Sequence, residues 1–155
     1  MVTVREARED ELLKISALWS DFMAYNANFN DSFSVRKNAK AIFIKEMSER
    51  GENPDCRLAV AENDGLLTGF CYSYISLKPE YFNIEKFGFI GDLFVKEECR
   101  GLGTGRKLVE DALAFLKRRK VRHIELLVAR GNVNTIEFWE SMGFDHLLTW
   151  MFKRI

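Results

Sequence analysis

Residues 100–105 have the sequence Arg-Gly-Leu-Gly-Thr-Gly, and they stand between an apolar strand and an amphipathic helix. The strand is predicted over Phe87–Val95, which is rich in aromatic and β-branched residues. After the loop, apolar residues recur at helical spacing from Leu108 to Leu116. Alternate glycines let the backbone approach a ligand closely, and the first turn of the helix presents free N–H groups at the positive end of its dipole. The pattern predicts a phosphate or pyrophosphate site, and hence a nucleotide-like cofactor.

Two common nucleotide motifs do not fit this loop. A Rossmann fingerprint needs G-x-G-x-x-G and an acidic residue about 20 positions further on. Glu125 stands at that distance, but the glycines are spaced G-x-G-x-G, and the loop follows several strands instead of opening a βαβ unit. A P-loop needs Lys and Ser or Thr after its last glycine, whereas Gly105 precedes Arg106-Lys107. A tight turn without a ligand is the remaining alternative.

The composition describes an ordinary globular chain of one domain, residues 1–155. It is 47% hydrophobic and 30% charged, and 23 Lys and Arg balance 23 Asp and Glu, so the formal net charge is zero. This balance gives no electrostatic case for a nucleic acid or an anionic membrane as partner. No apolar run is long enough to span a bilayer, and the N-terminus lacks a signal-peptide core. We therefore expect a cytoplasmic protein.

The cysteines and histidines predict neither a disulfide framework nor a metal site. Cys56, Cys71 and Cys99 are odd in number and not closely spaced, so we expect reduced thiols. His123 and His146 are the only histidines, too few for a His-rich metal site or an obvious Ser-His-Asp arrangement.

The hydrophobic pattern predicts the element order β-α-α-β-β-β-α-β-α-β. This order indicates an α/β fold with a mixed central sheet flanked by helices. The Asp64-Gly65 step is a strong hairpin signal between the second and third strands. Besides the strand and helix around the glycine loop, the predicted elements are Val2–Arg5, Glu9–Tyr25 (helix), Val35–Glu49 (helix), Arg57–Glu62, Leu66–Leu77, Arg122–Val128, Asn134–Met142 (helix) and Thr149–Lys153.

A second motif stands downstream, from Asn132 to Phe144. Its sequence resembles N-x-x-A-x-x-L/F-Y-E-x-x-G-F, and Arg100, Gly103 and Gly105 fill the fixed positions of R-x-x-G-x-G. Both are motifs of the GNAT superfamily of acyl-CoA N-acyltransferases, which the chain also resembles in its element order. The resemblance implies the GNAT fold, with acetyl-CoA as acetyl donor and coenzyme A as product.

The resemblance also implies roles for individual residues. Backbone groups of Leu93, Phe94 and Val95 would pair with the pantetheine arm like an added strand. Asn132 would bond to the cofactor, and Trp139 would lie near its sulfur. The pyrophosphate would be held by amides of Arg100, Gly101, Leu102, Gly103, Thr104 and Gly105.

Two of these assignments have open alternatives. Asn134 is a rival for the role of Asn132, although Asn134 is equally suited to cap the following helix. The basic run Lys117–Lys120 is a candidate for the 3′-phosphate of coenzyme A, but we favour a solvated helix C-terminus that complements the dipole.

The catalytic half departs from the family pattern. Acetyl transfer to an amine needs a base, stabilisation of an oxyanion and a proton for the leaving thiolate. A backbone N–H in the strand around Leu93–Val95 would serve the oxyanion. Many members have Tyr where Trp139 stands, and an indole N–H cannot give up its proton near neutrality. We interpret Trp139 as packing over the sulfur.

Asp92 is the candidate base, with a capping or salt-bridging Asp as the equal alternative. Polyamine acetyltransferases carry Glu-Asp where Gly91-Asp92 stands, and ribosomal-protein N-terminal acetyltransferases carry Glu where Leu127 stands. Both departures weaken those substrate assignments. Glu125 is interpreted as an exposed strand residue.

The sequence therefore predicts an N-acetyltransferase that moves an acetyl group from acetyl-CoA to a primary amine of a small molecule by direct attack. An acyl-CoA-binding or regulatory module, or an enzyme that acetylates peptide or protein amines, is the alternative. The short tail leaves a homodimer open. The segments expected to hold the acceptor offer Phe22, Tyr25, Phe29, Asp31, Phe33, Glu80, Tyr81 and Phe82.

Overall fold

A five-stranded sheet carries the glycine loop just beyond the end of its fourth strand. The structure is a computed structural model that describes all residues from Met1 to Ile155. The strands lie in sequence order, and every neighbouring pair is antiparallel except the parallel pair β4 and β5. The strands are β1 (Thr3–Glu6), β2 (Cys56–Asn63), β3 (Leu66–Leu77), β4 (Lys86–Val95) and β5 (Ile124–Leu126). The predicted hairpin is confirmed, since β2 and β3 pair and Asp64 and Gly65 between them have positive φ.

Four helices flank the sheet, which confirms the predicted mixed α/β architecture. They are α1 (Leu12–Ala27), α2 (Ala39–Gly51), α3 (Thr104–Arg118) and α4 (Val133–Ser141). Single 3-10 turns lie at Glu9–Glu11, Asp31–Phe33 and Glu97–Cys99. None of the helices combines the length and apolar composition needed to cross a membrane.

The two faces of the sheet bury two separate cores. Strand alternation explains the division, because successive side chains of a strand point to opposite faces. Val60 belongs to the core under α1 and α2, while its neighbours Ala59 and Ala61 belong to the core under α3 and α4. On β4, Phe94 lies on the α1 and α2 face and Ile90 on the α3 and α4 face.

Strands β4 and β5 part near the middle of β4. Their pairing covers only Gly88–Ile90 against β5. Beyond this point β4 continues to Val95 paired with β3 alone, so the edge of residues 91–95 that faces β5 has no strand partner. A bulge accompanies the parting, since Ser73 pairs with Ile90 and the next residue, Tyr72, pairs with Asp92. The sheet therefore opens into a cleft along residues 91–95.

Two glycines allow α3 to pack tightly on the strands that border this cleft. A Cβ at Gly69 on β3 would lie 2.6 Å from the carbonyl oxygen of Phe94 and 3.3 Å from Leu108 of α3. A Cβ at Gly88 on β4 would lie 2.6 Å from Leu116, near the other end of α3. The absence of side chains here fixes α3, and with it the glycine loop, against the sheet.

The predicted last strand, Thr149–Lys153, is wrong. No helix or strand follows α4, and Trp150, Met151 and Phe152 are exposed. A short apolar run makes a strand only where a neighbouring edge offers hydrogen-bond partners, and no strand pairs with this tail. An ion pair between Arg154 and Asp31 attaches it instead to the segment between α1 and α2.

Several predicted boundaries also differ, among them the end of β5 and the start of α2. Strand β5 ends at Leu126, before the predicted end at Val128, because its partner β4 bends away after Ile90. Helix α2 begins at Ala39, after the predicted start at Val35, and the residues between them are exposed turns.

Gly69→Ala is expected to lower the free energy of unfolding by about 1–3 kcal/mol, because the added methyl group overlaps the carbonyl of Phe94. Urea denaturation measures the change. Gly51→Ala is the matched control, since nothing lies within 4 Å of its added Cβ. The control should match the wild type or gain up to about 1 kcal/mol from helix propensity. Equal stability of the Gly69 variant and the control would contradict this close packing.

Candidate active site

The glycine loop presents a series of unpaired amides to open space. Gly101 and Gly103 have φ of 73° and 80°, a region that side chains disfavour, and nothing lies within 4 Å of a Cβ at either position. Gly103 precedes the first turn of α3 and provides no side-chain cap. The first bond of the helix runs from Lys107 N–H to the Gly103 carbonyl at 3.1 Å, and no backbone N–H of residues 101–106 donates within the protein. Consecutive free amides at a helix N-terminus suit phosphate oxygens.

The side chains of the first turn of α3 serve packing. Thr104 is buried, and its Oγ1 has no hydrogen-bond partner. A Cβ at Gly105 would lie 3.5 Å from the ring of Phe138 on α4. Helix α4 therefore packs directly against the loop, and only the backbone of Thr104 and Gly105 is available to a ligand.

Arg100 braces the loop against the end of β4. Its Nε donates to the carbonyl of Val95 at 3.0 Å. Its guanidinium lies 5.3 Å from the ring centre of Tyr25 and 5.8 Å from that of Phe94. Such contacts are favourable cation–π geometry. The side chain thus holds the loop in place, while the backbone amides that follow it stay free.

Asn132 is the N-cap of α4 and is buried. Its Oδ1 accepts from the backbone N–H of Thr135 and from the hydroxyl of Tyr25, each at 3.3 Å. Because both bonds use the oxygen, the side-chain NH₂ remains free to donate. The capping residue is thus Asn132, and the alternative cap, Asn134, is exposed within the helix.

Tyr25 connects α1 to both sides of the opening between β4 and β5. Its hydroxyl reaches Asn132, beyond β5, and its ring lies under Arg100, beyond β4. Phe29, one turn after Tyr25, contacts the ring of Tyr25 edge-on. A Cβ at Gly131 would lie 3.4 Å from the ring of Phe29. The sequence suggested Tyr25 and Phe29 for an acceptor pocket, but the structure places them beside the candidate cofactor residues.

Trp139 is buried among apolar groups. Its indole makes edge-on contacts with Phe138 and Phe144, each with ring centres 5.1 Å apart, and shares a core with Ile90. This environment fits a packing role. The predicted proximity to a cofactor sulfur stays a prediction.

A second cleft, distinct from the opening between β4 and β5, lies between α2 and the sheet, on the face that α1 and α2 cover. Its volume is about 430 Å³. Asp92 and Gly91 form part of its floor. Asp92 makes no hydrogen bond or ion pair with the protein, so its interpretation as a capping or salt-bridging residue has no support. Burial raises the pKa of Asp92 to about 6, and the charge of Arg50 opposes this shift. The carboxylate can therefore accept a proton near neutral pH.

The walls of this cleft differ from the predicted acceptor residues. None of the eight residues that the sequence suggested lines it. Phe22 packs in the core against Phe70 and Phe94, and the rings of Tyr81 and Phe82 contact each other at a tilt on the surface. The side chains that line it and that sequence reasoning missed include Trp19, Arg36, Glu46, Arg50 and Tyr72. A signal was present, since Glu46 and Arg50 follow the apolar positions Ala39 and Phe43 at helical spacing.

Two other candidates are engaged elsewhere. Glu125 is half-buried instead of exposed, and it accepts from Lys78 at 2.6 Å and from His123 at 2.8 Å. Burial opposes ionisation of Glu125, but these hydrogen bonds outweigh it and hold its pKa below the ordinary value. The basic run Lys117–Lys120 lies at the C-terminal end of α3, about 20 Å from the glycine loop. Its position agrees with a solvated terminus that complements the helix dipole.

Comparisons with known proteins agree with this geometry. The model of the acetyltransferase (GNAT) family matches residues 17–144. A protein described as an uncharacterized N-acetyltransferase from Archaeoglobus fulgidus is 39% identical over 141 residues, which cover 89% of each chain. Another N-acetyltransferase described in the same way, from Methanocaldococcus jannaschii, is 30% identical over 148 residues and 92% of this chain, but the matched region is only 60% of that relative.

The fold is shared with solved acetyltransferases. An aminoglycoside N-acetyltransferase solved in complex with CoA superimposes with a TM-score of 0.82 at 15% identity, covering 100% of this chain and 95% of the other. The family model covers most of the chain and includes both motifs, from Arg100 to Gly105 and from Asn132 to Phe144. The chain belongs to the GNAT family of acetyltransferases.

Proposed function

We propose that this protein transfers an acetyl group from acetyl-CoA to the primary amine of a small molecule by direct attack of the amine. The observation that carries the proposal is the position of Asp92. This partly buried carboxylate has no protein partner and lies at the floor of a cleft. It also lies on the segment of β4 whose edge β5 leaves unpaired. One strand therefore offers a free backbone edge and a free base.

The cofactor half of the proposal rests on unpaired backbone groups. Amides from Gly101 through Gly105 would hold the pyrophosphate, because those of residues 101–106 make no bond within the protein. The predicted contribution of the Arg100 amide has no support, since that N–H donates to the carbonyl of Glu97 at 3.1 Å. The edge of Leu93, Phe94 and Val95 that has no strand partner would pair with the pantetheine arm like an added strand, although the carbonyl of Val95 already accepts from Arg100. Both groups fit the chemistry of coenzyme A, an anionic end joined to an amide-bearing arm.

The catalytic half assigns one task to each group. Acetyl-CoA supplies a thioester carbon that the amine attacks, so that a C–N bond forms and the C–S bond breaks. Asp92 would take the proton of the attacking amine, directly or through water. A backbone N–H within Leu93–Val95 would stabilise the charge that develops on the acetyl oxygen. Trp139 cannot supply a proton, so water would protonate the thiolate.

The activity is tested by steady-state release of free thiol from acetyl-CoA with a panel of amino acids, polyamines and aminoglycosides. We expect turnover that depends on the amine.

The packing of Trp139 where many members have Tyr favours a second candidate, an acyl-CoA-binding module without efficient catalysis. Calorimetric binding of CoA without thiol release on any acceptor would support that module. Acetylation of a peptide library alone would indicate a peptide amine as acceptor, and failure to bind CoA would contradict all three.

Asp92→Asn is expected to lower kcat/KM by about 10²–10⁴-fold, because the general base is lost. In the wild type, kcat/KM should rise with pH through about 6, where the Asp92 carboxyl loses its proton, and level off above it. The variant should lack this step. Thiol release from pH 5 to 8 measures both effects.

Glu110→Gln, on the exposed side of α3, is the matched carboxylate control and should retain the wild-type profile. Calorimetry should find unchanged CoA affinity in the Asp92 variant. A pH step near 6 that survives in Asp92→Asn would exclude Asp92 as the base.

Tyr25→Phe is expected to weaken CoA binding about 3–10-fold, as the loss of one neutral hydrogen bond predicts. The hydroxyl of Tyr25 helps to hold Oδ1 of Asn132, which leaves the NH₂ to donate to the pantetheine arm. The ring that remains would still contact Arg100 and Phe29. Titration calorimetry with CoA measures the change, and Tyr81→Phe at the surface is the control. Tighter binding in Tyr25→Phe would show instead that the bond competes with the cofactor for Asn132.

A further inference from the structure

We infer that the acceptor is a zwitterion, an amine that also carries a carboxylate or phosphate, held with its amine at Asp92 and its acidic group at Arg36. This inference rests on the proposed function, because it names the substrate class for the same cleft. It distinguishes amino acids and acidic amino sugars from polyamines, which carry only positive charge.

The charges that line the cleft sum to zero. Arg36 and Arg50 contribute two positive charges, and Glu46 and Asp92 contribute two negative ones when ionised. Complementary charge governs which ligands enter a cleft, and juxtaposed like charges are costly. A polyamine would bring a second ammonium group against a guanidinium. A ligand with one positive and one negative group matches the cleft.

The two arginines differ in their availability. Arg50 donates to the hydroxyl of Tyr72 at 2.9 Å, lies 5.4 Å from the centre of its ring, and is 3.9 Å from the carboxylate of Glu46. Arg50 and Glu46 therefore satisfy part of each other's charge. Arg36 lines the cleft, and its guanidinium makes no hydrogen bond or ion pair with the protein, whereas its backbone carbonyl accepts from the N–H of Ala39. Arg36 is thus the cation that an acidic ligand would meet without displacing a protein contact.

The free cation and the free carboxylate lie on different walls of the cleft. Arg36 precedes the first turn of α2, which begins at Ala39, whereas Asp92 belongs to the sheet. Arg50 lies near the other end of α2, and the eleven-residue separation from Ala39 corresponds to about 16 Å along the helix. The two arginines therefore stand near opposite ends of α2. An acceptor that joins Arg36 to Asp92 needs a spacer between its acidic group and its amine.

The remaining walls suit such a spacer. Trp19 and Phe43 stack with ring centres 4.8 Å apart and line the cleft together with Ile42. These apolar groups would pack against methylene groups or a sugar ring. A volume of about 430 Å³ accommodates a molecule of amino-acid or amino-sugar size.

The inference is tested with acceptor pairs that differ in the acidic group alone. Ornithine and putrescine form one pair, lysine and cadaverine a second, and glucosamine 6-phosphate and glucosamine a third. We expect kcat/KM, measured by thiol release, to be at least about tenfold higher for the acidic member of at least one pair, since a charged hydrogen bond contributes roughly 1.5–3 kcal/mol.

Variants of Arg36 assign this preference to its guanidinium. Arg36→Gln should lower kcat/KM for the acidic member about 10–100-fold, mainly through KM, and leave the other member unchanged. Arg36→Lys should retain part of the preference because it keeps the charge. Arg122→Gln is the matched control, since Arg122 is an exposed arginine outside the cleft and without an ion pair.

The outcomes separate this inference from the proposed function. Equal or faster turnover of the diamines and glucosamine, with Arg36→Gln behaving like the wild type, would overturn the inference and leave the proposed function intact. CoA binding without thiol release on these six acceptors or on any other amine of the wider panel would overturn both. Circular dichroism of each variant verifies that the fold is retained.

Discussion

Backbone hydrogen bonding is the constraint on which the rest of this structure depends. Every buried N–H and carbonyl needs a partner, and in a sheet the partner is the next strand. Here β4 keeps its partner β3 along its length but loses β5 after Ile90. The bulge at this point turns Asp92 toward the face of α2, and the free edge beyond it borders the glycine loop. A single departure from regular pairing thus creates both the opening between β4 and β5 and the orientation of the Asp92 carboxylate.

The two sides of β4 have different physical characters. Toward α3 and α4, the candidate cofactor groups are backbone amides braced by packing, as in the contacts of Phe138 with Gly105 and of Arg100 with Val95. Toward α2, the cleft is built from charged and aromatic side chains, among them Asp92, Arg50 and Trp19. Backbone geometry changes little with sequence, whereas these side chains change readily. The candidate donor groups thus depend on backbone geometry, whereas the groups of the cleft under α2 depend on side-chain identity.

Features encoded over short stretches of chain were predictable from the sequence. The Asp64-Gly65 turn and the glycines at 101 and 103 adopt positive φ because of local stereochemistry, and the motifs around them identified the family. The element order was correct up to α4 for the same reason, because each periodic segment reports its own secondary structure.

Features that depend on distant contacts were not predictable. The tail places the apolar residues Trp150, Met151 and Phe152 in a row, but no strand pairs with it, so this run is not a strand. The cleft beside Asp92 is lined by residues other than those that the sequence suggested for the acceptor, because the positions of Arg36 and Glu46 over β4 follow from how α2 crosses the sheet. Asp92 has no hydrogen-bond or ion-pair partner because the fold brings no donor or cation into contact with it, and this too cannot be read from the local sequence.

The unpaired edge of β4 and the free amides of the loop also bear on stability. These groups are the part of the backbone that the protein alone leaves without partners in this region. A ligand that bonds to them binds the folded state and not the unfolded chain, so it raises the free energy of unfolding by RT ln(1 + [L]/Kd), about 2.7 kcal/mol at a hundredfold excess over Kd. The melting temperature in the presence of such a ligand is then a function of the ligand concentration, and resistance to proteolysis rises with it.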